Sequence, residues 1–223
     1  MIKCTIILFR HAQSKDNAKR TFSGWRNSEL TTLGKKEAIH TKKQLQKYRI
    51  SYAFDSSLKR TQQTLKIALA NKKIPVFTDD RIIERCYGTL QGQSKTEFEN
   101  KNPELYKKYH RGYDSPPPRG ESIKMVEKRT LSFLHELLTF LKKHPGNVAI
   151  SAHGNSMRPI ERYFSKLTIK QMMALENPQD RAIIYQIRIQ KQKNNTPLKW
   201  QGIIKPKNVL YADDKKNPLK KYY

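Results

Sequence analysis

Acid is scarce in this chain of 223 residues: 19 Asp plus Glu stand against 45 Lys plus Arg, a formal net charge of +26. Cysteine is scarcer still. The two thiols, Cys4 and Cys86, lie far apart and outside any CxxC or Cys/His ligand spacing. That argues against a disulfide framework or a zinc site and leaves two ordinary reduced thiols. Long apolar runs are also missing, and no stretch approaches the roughly 20 residues a membrane span needs. The apolar start, MIKCTIILFRHAQ, is interrupted by Arg10 and His11, and no small-residue cleavage site follows it. A signal peptide is therefore not expected, and a cytoplasmic protein with no membrane partner is the simplest expectation.

At 36% hydrophobic and 29% charged residues, the chain is long enough for one substantial domain with a buried core. The shortage of acid has two readings. The excess of cations attracts anions of any kind, small phosphates and nucleic acid among them; lysines on solvated faces explain it equally well. Much of the excess is C-terminal: ten Lys or Arg from Arg188 onward face only Asp213 and Asp214. Residues 1–190 read as the folded domain and 191–223 as a basic, partly flexible segment. Such a tail could hold polyanions loosely, but it carries no RNA- or DNA-binding motif.

Along the chain, apolar runs alternate with helical patterns. Thr5 to Phe9, TIILF, suits a strand buried on both faces. Residues 33–48 follow as a helix capped by Thr31 or Thr32. Tyr52–Phe54 reads as a second strand, Lys59–Leu69 as a helix and Ile74–Phe77 as a weak third strand. Residues 102–120, with Pro103 and Pro116-Pro117-Pro118, read as a loop-rich excursion with a short helix before it. From Ser122 to Lys142 the spacing of Val126, Thr130, Phe133, Leu134, Leu137, Leu138 and Leu141 predicts the clearest amphipathic helix. Asn147–Ala152 is a further buried strand, Ser156–Phe164 a helix and Arg181–Ile189 a last strand. This alternation predicts an α/β fold, a mostly parallel sheet with helices on both faces.

Two of these strands run directly into histidine: TIILF into Arg10-His11, and NVAISA into His153-Gly154. Ligands of open α/β sheets bind at the carboxyl ends of strands, so the two histidines are expected in one crevice. A neutral imidazole can attack phosphorus and pass the phosphoryl group on. Without a metal, the charge on that group must be met by fixed cations, which Arg10, Arg60 and His153 can supply. A carboxylic acid must carry the proton, and Glu84 is the natural candidate. Taken singly, each residue has a plainer explanation: a structural histidine, a solvated arginine, or Glu84 in an ion pair with Arg81 or Arg85.

The motifs do not occur singly. Arg10, His11, Ser14, Asn17, Phe22, Ser23, Gly24 and Trp25 resemble the first signature of the histidine phosphatase superfamily, in its phosphoglycerate mutase branch. The likeness continues through SSLKRTQQT, ERCYGTLQGQSK, YDSPPPRGES and AHGNSMR, in the family's order, from residue 5 to about 190. It implies a phosphoglycerate mutase-like fold, with His11 as the phosphorylated nucleophile. Arg10, Arg60 and His153 would bind the phosphoryl group, and Glu84 would give and take the proton. Asn17, Ser23, Gly24, Gly154 and Asn155 would complete the phosphate pocket. Arg85, Tyr87, Lys95, His110 and Arg111 would hold the far end of a bisphosphoglycerate.

The implied reaction interconverts 2- and 3-phosphoglycerate, primed by 2,3-bisphosphoglycerate and using no metal. A homo-oligomer is also implied. A phosphatase of the same superfamily acting on small phosphate esters is the first alternative, and a non-catalytic polyanion-binding protein the second. Several positions depart from the family pattern: Ala12 in place of glycine, Cys86 in place of a histidine or aspartate, His110 in place of one of two arginines, and Pro178-Gln179-Asp180 in place of a threonine-glycine turn.

Overall fold

In a computed structural model of the chain, residues 2–70, 72–189 and 208–210 are described. The β-branched run at the start forms β1 (Ile2–Arg10), longer at both ends than TIILF. After a single turn, α1 (Lys15–Ala18), come α2 (Thr32–Leu45), β2 (Ile50–Asp55), α3 (Lys59–Leu69) and β3 (Val76–Thr78). The chain continues through α4 (Lys95–Lys101), α5 (Pro103–Arg111), α6 (Ile123–Lys143), β4 (Asn147–Ala152), α7 (Gly154–Ser165), α8 (Ile169–Met173) and β5 (Ala182–Ile189). The basic segment expected beyond Gln190 lies outside the described residues, except Asn208–Leu210, whose backbone forms β6 antiparallel to β5.

The strand order is β3-β2-β4-β1-β5-β6. β3, β2, β4 and β1 run parallel, and β5 is antiparallel to β1. β1 thus has its sequence-distant partner β4 beside it, with Arg10 opposite Ala152. The His11 amide extends the ladder by donating to the Ala152 carbonyl at 2.9 Å, so the two strands end together.

Alternation along β1 builds the two layers. Cys4, Ile6 and Leu8 face one core with Phe133, Leu134, Leu137 and Leu138 of α6 and Ile160 and Phe164 of α7. Ile7 and Phe9 face the other, with Leu45 of α2 and Leu65, Ala68 and Leu69 of α3. Each fully buried Leu, Ile or Phe contributes about 1.5–3 kcal/mol. Ser122 caps α6 by accepting from the Met125 amide, and the helix ends at Lys143, with His144 as its C-cap just before Pro145.

The excursion over 102–120 is a correction. Its first half is helical, because Pro103 stands at the first position of α5, where its missing N–H is not needed. α4 precedes it, capped by Ser94. Neither α4 nor α5 packs on the sheet; with Phe22, Tyr87 and Leu90, their Phe98, Tyr106 and Tyr109 form a separate small cluster. Among the described residues, no helix is long and apolar enough to cross a membrane.

Candidate functional site

The carboxyl ends of β1 and β4, the start of α3 and the start of α7 surround a cavity of about 130 Å³. His11 stands at its base, and the fully buried His153, which is not one of the lining residues, lies behind it with ring centroids 5.1 Å apart. The His11 ring is 2% exposed and held by two partners. Nδ1 lies 2.8 Å from the Ala12 carbonyl oxygen, which can only accept, and the Arg60 Nε, which can only donate, reaches Nε2 at 3.2 Å. Nδ1 therefore carries the proton, and the Nε2 lone pair accepts from Arg60. Burial, then the Arg60 and Arg10 charges, hold the His11 pKa well below the ordinary histidine range, so the ring is neutral at physiological pH.

Arg60 is itself only 1% exposed. Its Nη2 donates to the Gly24 carbonyl at 2.7 Å and its Nη1 to the Arg26 carbonyl at 2.8 Å, and burial lowers its pKa to about 10. It is a fixed internal cation and not a solvated one. Gly24 presents that carbonyl from a φ of +50°, and a Cβ there would press on the end of the Gln91 side chain. The position favours glycine. Arg10 Nη1 donates to the Asn177 carbonyl at 2.8 Å, while its buried Nε has no partner. The buried Ser23 Oγ is also unpartnered, and both residues line the cavity.

Glu84 lines the same cavity at 8% exposure. Its Oε1 accepts from the Arg85 amide at 2.7 Å and the Asn155 amide, at the start of α7, at 3.3 Å. Its backbone carbonyl is gripped by Trp25 Nε1 at 2.7 Å and Arg129 Nη2 at 3.0 Å. The plainer reading, an ion pair with Arg81 or Arg85, does not hold. Arg81 pairs with Asp79 and Glu136, both at 2.6 Å.

Two amides are oriented by their neighbours. Asn17 Oδ1 accepts from the Ser14 amide, Ser14 Oγ and Gln179 Nε2, which leaves its NH₂ as the group free to serve the cavity. Gln179, one of the departures from the family pattern, thus has a defined task. Asn155 Oδ1 accepts from Arg158 Nη1 at 2.7 Å, so its Nδ2 donates to the Tyr87 hydroxyl at 3.3 Å. Burial, then Glu84, raises the Tyr87 pKa, and the phenol keeps its proton.

The far wall carries Lys95, with Nζ 5.6 Å from the Phe22 ring centroid, and His110, stacked on Tyr106 at 4.8 Å. Gly154 lines the cavity where α7 begins. Two expected residues differ. Arg85 is not on the wall: it is fully buried, donating to the Glu121 carbonyl at 2.6 Å and the Ser115 carbonyl at 3.0 Å. The Arg111 backbone ends α5, and its side chain lies outside the description. Ala12 fits without strain, because its φ is not positive and its methyl packs with Leu30 and Ala38.

Sequence reasoning missed three wall residues, Arg158, Glu176 and Asn177. Arg158 had a signal, standing three residues after Asn155 on the same helix face. Glu176 and Asn177 sit in an irregular segment, which offers none.

Known proteins resemble this chain. The profile of the histidine phosphatase superfamily (branch 1) matches residues 6–201. A 2,3-bisphosphoglycerate-dependent phosphoglycerate mutase of Nitrobacter winogradskyi is 37% identical over 189 residues, covering 82% of this chain and 91% of that protein. A protein of the same name from Chlamydia trachomatis is 32% identical over 220 residues, covering 86% and 97%. Among solved structures, the alpha-ribazole phosphatase of Shigella flexneri superposes with a TM-score of 0.74 at 19% identity, covering 82% of this chain and 91% of that one. That last likeness speaks for the fold alone.

Proposed function

The chain belongs to the histidine phosphatase superfamily, and from that premise we propose that it is a phosphoglycerate mutase, working through a phosphohistidine on His11. The observation that carries this reading is the pairing of two different anion-binding ends in one small cavity. At one end stands a neutral imidazole with a fixed lone pair, flanked by Arg10, Arg60 and the Asn17 amide. At the other stand Tyr87, Lys95 and His110. A phosphatase needs only the first end; a mutase must hold a second charged group while the molecule turns. The volume of about 130 Å³ suits a three-carbon phosphate ester and lies below the roughly 300–1,000 Å³ of pockets for larger ligands.

The same residues fit 2,3-bisphosphoglycerate. The unpartnered Arg10 Nε and Ser23 Oγ offer hydrogen bonds at one end, and the Lys95 ammonium offers charge at the other. Bound there, the bisphosphate supplies the phosphoryl group that charges His11. In turnover, His11 Nε2 attacks phosphorus, and the N–P bond forms as the P–O bond of the ester breaks. The leaving alkoxide takes a proton from Glu84, whose Oε2 makes no hydrogen bond among the described residues. In the reverse step, Glu84 takes the proton from the accepting hydroxyl. Arg10 and Arg60 stand where the equatorial oxygens carry their charge.

A phosphorus NMR time course with 3-phosphoglycerate and a trace of 2,3-bisphosphoglycerate tests this. Growth of 2-phosphoglycerate with little free phosphate is the expected outcome. Dominant release of free phosphate would instead identify a phosphatase, a reading favoured by His110, which lacks the bidentate fork of the arginine that the resemblance expects there.

A further inference from the structure

Two buried hydroxyls beside the site have no part in the chemistry described so far. Ser56 follows β2 and Thr61 lies in the first turn of α3; both are fully buried. Ser56 Oγ lies 2.8 Å from His153 Nε2 and 2.9 Å from Thr61 Oγ1. Each hydroxyl has one proton to give, and the protons can be placed in turn. Thr61 Oγ1 lies 2.8 Å from the Leu58 carbonyl and 3.2 Å from the Ser56 carbonyl. Carbonyls only accept, so the Thr61 proton goes to one of them, and Thr61 accepts from Ser56. The Ser56 proton is then committed, and Ser56 can only accept from the histidine. His153 therefore carries its proton on Nε2. Its Nδ1, buried and without a hydrogen-bond partner, carries a lone pair, and the side chain sits in the capping box of α7 opposite the Ser156 amide.

We propose that the Ser56–Thr61 hydroxyl pair is a positioning device that holds His153 as its Nε2–H tautomer, so that Nδ1 can meet a phosphoryl oxygen only by taking up a proton. This rests on the phosphoryl-transfer reading of the site. In the resting protein the ring is neutral. The charged and titratable groups around it are Arg60 from α3, His11 and Arg10 from the end of β1, and Arg129 from α6, and burial and these groups together disfavour the imidazolium. Arrival of a phosphoryl dianion reverses the balance, because the new negative charge favours protonation next to it. The proton comes from solvent and enters with the anion. Nδ1–H then donates to the phosphoryl oxygen, while Nε2–H keeps its bond to Ser56. Without the hydroxyl pair, a neutral His153 could turn to the Nδ1–H tautomer and bind the anion with no proton at all.

The readout is the nitrogen-15 imidazole spectrum of the full chain at about pH 7.5, above the ordinary histidine range. Wild-type His153 should show a protonated Nε2 and an unprotonated Nδ1. Thr61→Val removes the acceptor for the Ser56 hydroxyl, frees it to donate to Nε2, and should reverse the pattern. Calorimetric titration with inorganic phosphate, in buffers of different ionisation enthalpy, should show uptake of about one proton per phosphate in wild type and a small fraction of that in Thr61→Val. A protonated Nδ1 in the wild-type spectrum overturns the proposal without any variant having to fold. So does an unchanged tautomer or unchanged proton uptake in a folded Thr61→Val. Absence of a phosphohistidine during turnover would overturn the mutase reading and leave the tautomer measurement standing.

Discussion

The two ends of the cavity are built by different means. The end holding His11 grows from the sheet: Arg10 finishes β1 and His11 follows it, His153 follows β4, and Arg60 rises from the first turn of α3. Backbone carbonyls of Gly24, Arg26, Ala12 and Asn177 fix these side chains. The end holding Lys95 and His110 grows from α4 and α5, whose aromatic side chains pack on the small cluster around Phe22. A group whose position sets a reaction trajectory is best placed on rigid, deeply packed elements, whereas a group that selects ligands can sit on a variable excursion. The division suggests that chemistry is set at the sheet end and retention of the substrate at the helical end.

The comparison breaks most completely at His11. His11→Ala removes the nucleophile and is expected to abolish both turnover and acid-labile phosphoenzyme; mutase activity within tenfold of wild type would overturn the mechanism. Glu84→Gln keeps the shape and the contacts of Oε1 but removes the proton carrier. It should lower kcat by about 10²–10⁴ with little change in KM, as measured in a coupled assay. If KM moved instead of kcat, Glu84 would belong with the residues that hold substrate.

Behind the sheet end lies a buried ion pair, Arg181 Nη2 to Glu161 at 3.2 Å, with side chains 1% and 0% exposed. Arg181 also donates to Asn177 Oδ1, and the Asn177 carbonyl in turn accepts from Arg10. Glu161→Gln leaves a buried cation without its counter-charge and should destabilise the fold by about 3–5 kcal/mol, measured by urea unfolding. Truncating Lys95 or His110 at the far wall should move stability far less. The two histidines of the sheet end also predict an acid limb. Both have folded pKa values depressed below their unfolded ones. The stability this confers is present above the unfolded value, about 6.5, and is lost as pH falls below it. Melting temperature should therefore drop on acidification through that range, and His153→Gln should flatten the drop.

Sequence legibility follows the same division. A strand buried on both faces must be an apolar run that stops abruptly, so TIILF before Arg10-His11 and NVAISA before His153 revealed the sheet end. That β4 lies beside β1 left no local trace, since pairing between strands so distant in sequence is set by the whole core. The helical end was harder to read. Pro103 looked like a breaker but begins α5. The resemblance gave Arg85 a clamp's role; its guanidinium lies buried off the wall, donating to the Ser115 and Glu121 carbonyls with Nη1 left without a hydrogen-bond partner. Asn177 and Glu176 reach the wall only through the fold.

The smallest expected effect sharpens the comparison most. His110 lies on the cavity wall, stacked on Tyr106 and edge-on to Phe22 with ring centroids 6.4 Å apart. A guanidinium there is charged at all working pH values and can bind an anionic group bidentately, which an imidazole cannot. His110→Arg should therefore lower KM for phosphoglycerate by about tenfold, the equivalent of one charge-assisted hydrogen bond, and leave kcat nearly unchanged. The fraction of turnovers that end in free phosphate should fall with it, because the bisphosphorylated molecule is held longer. A kcat that falls while KM stays constant would mean that the helical end shapes the chemical step as well, and the division between the two ends would no longer describe this enzyme.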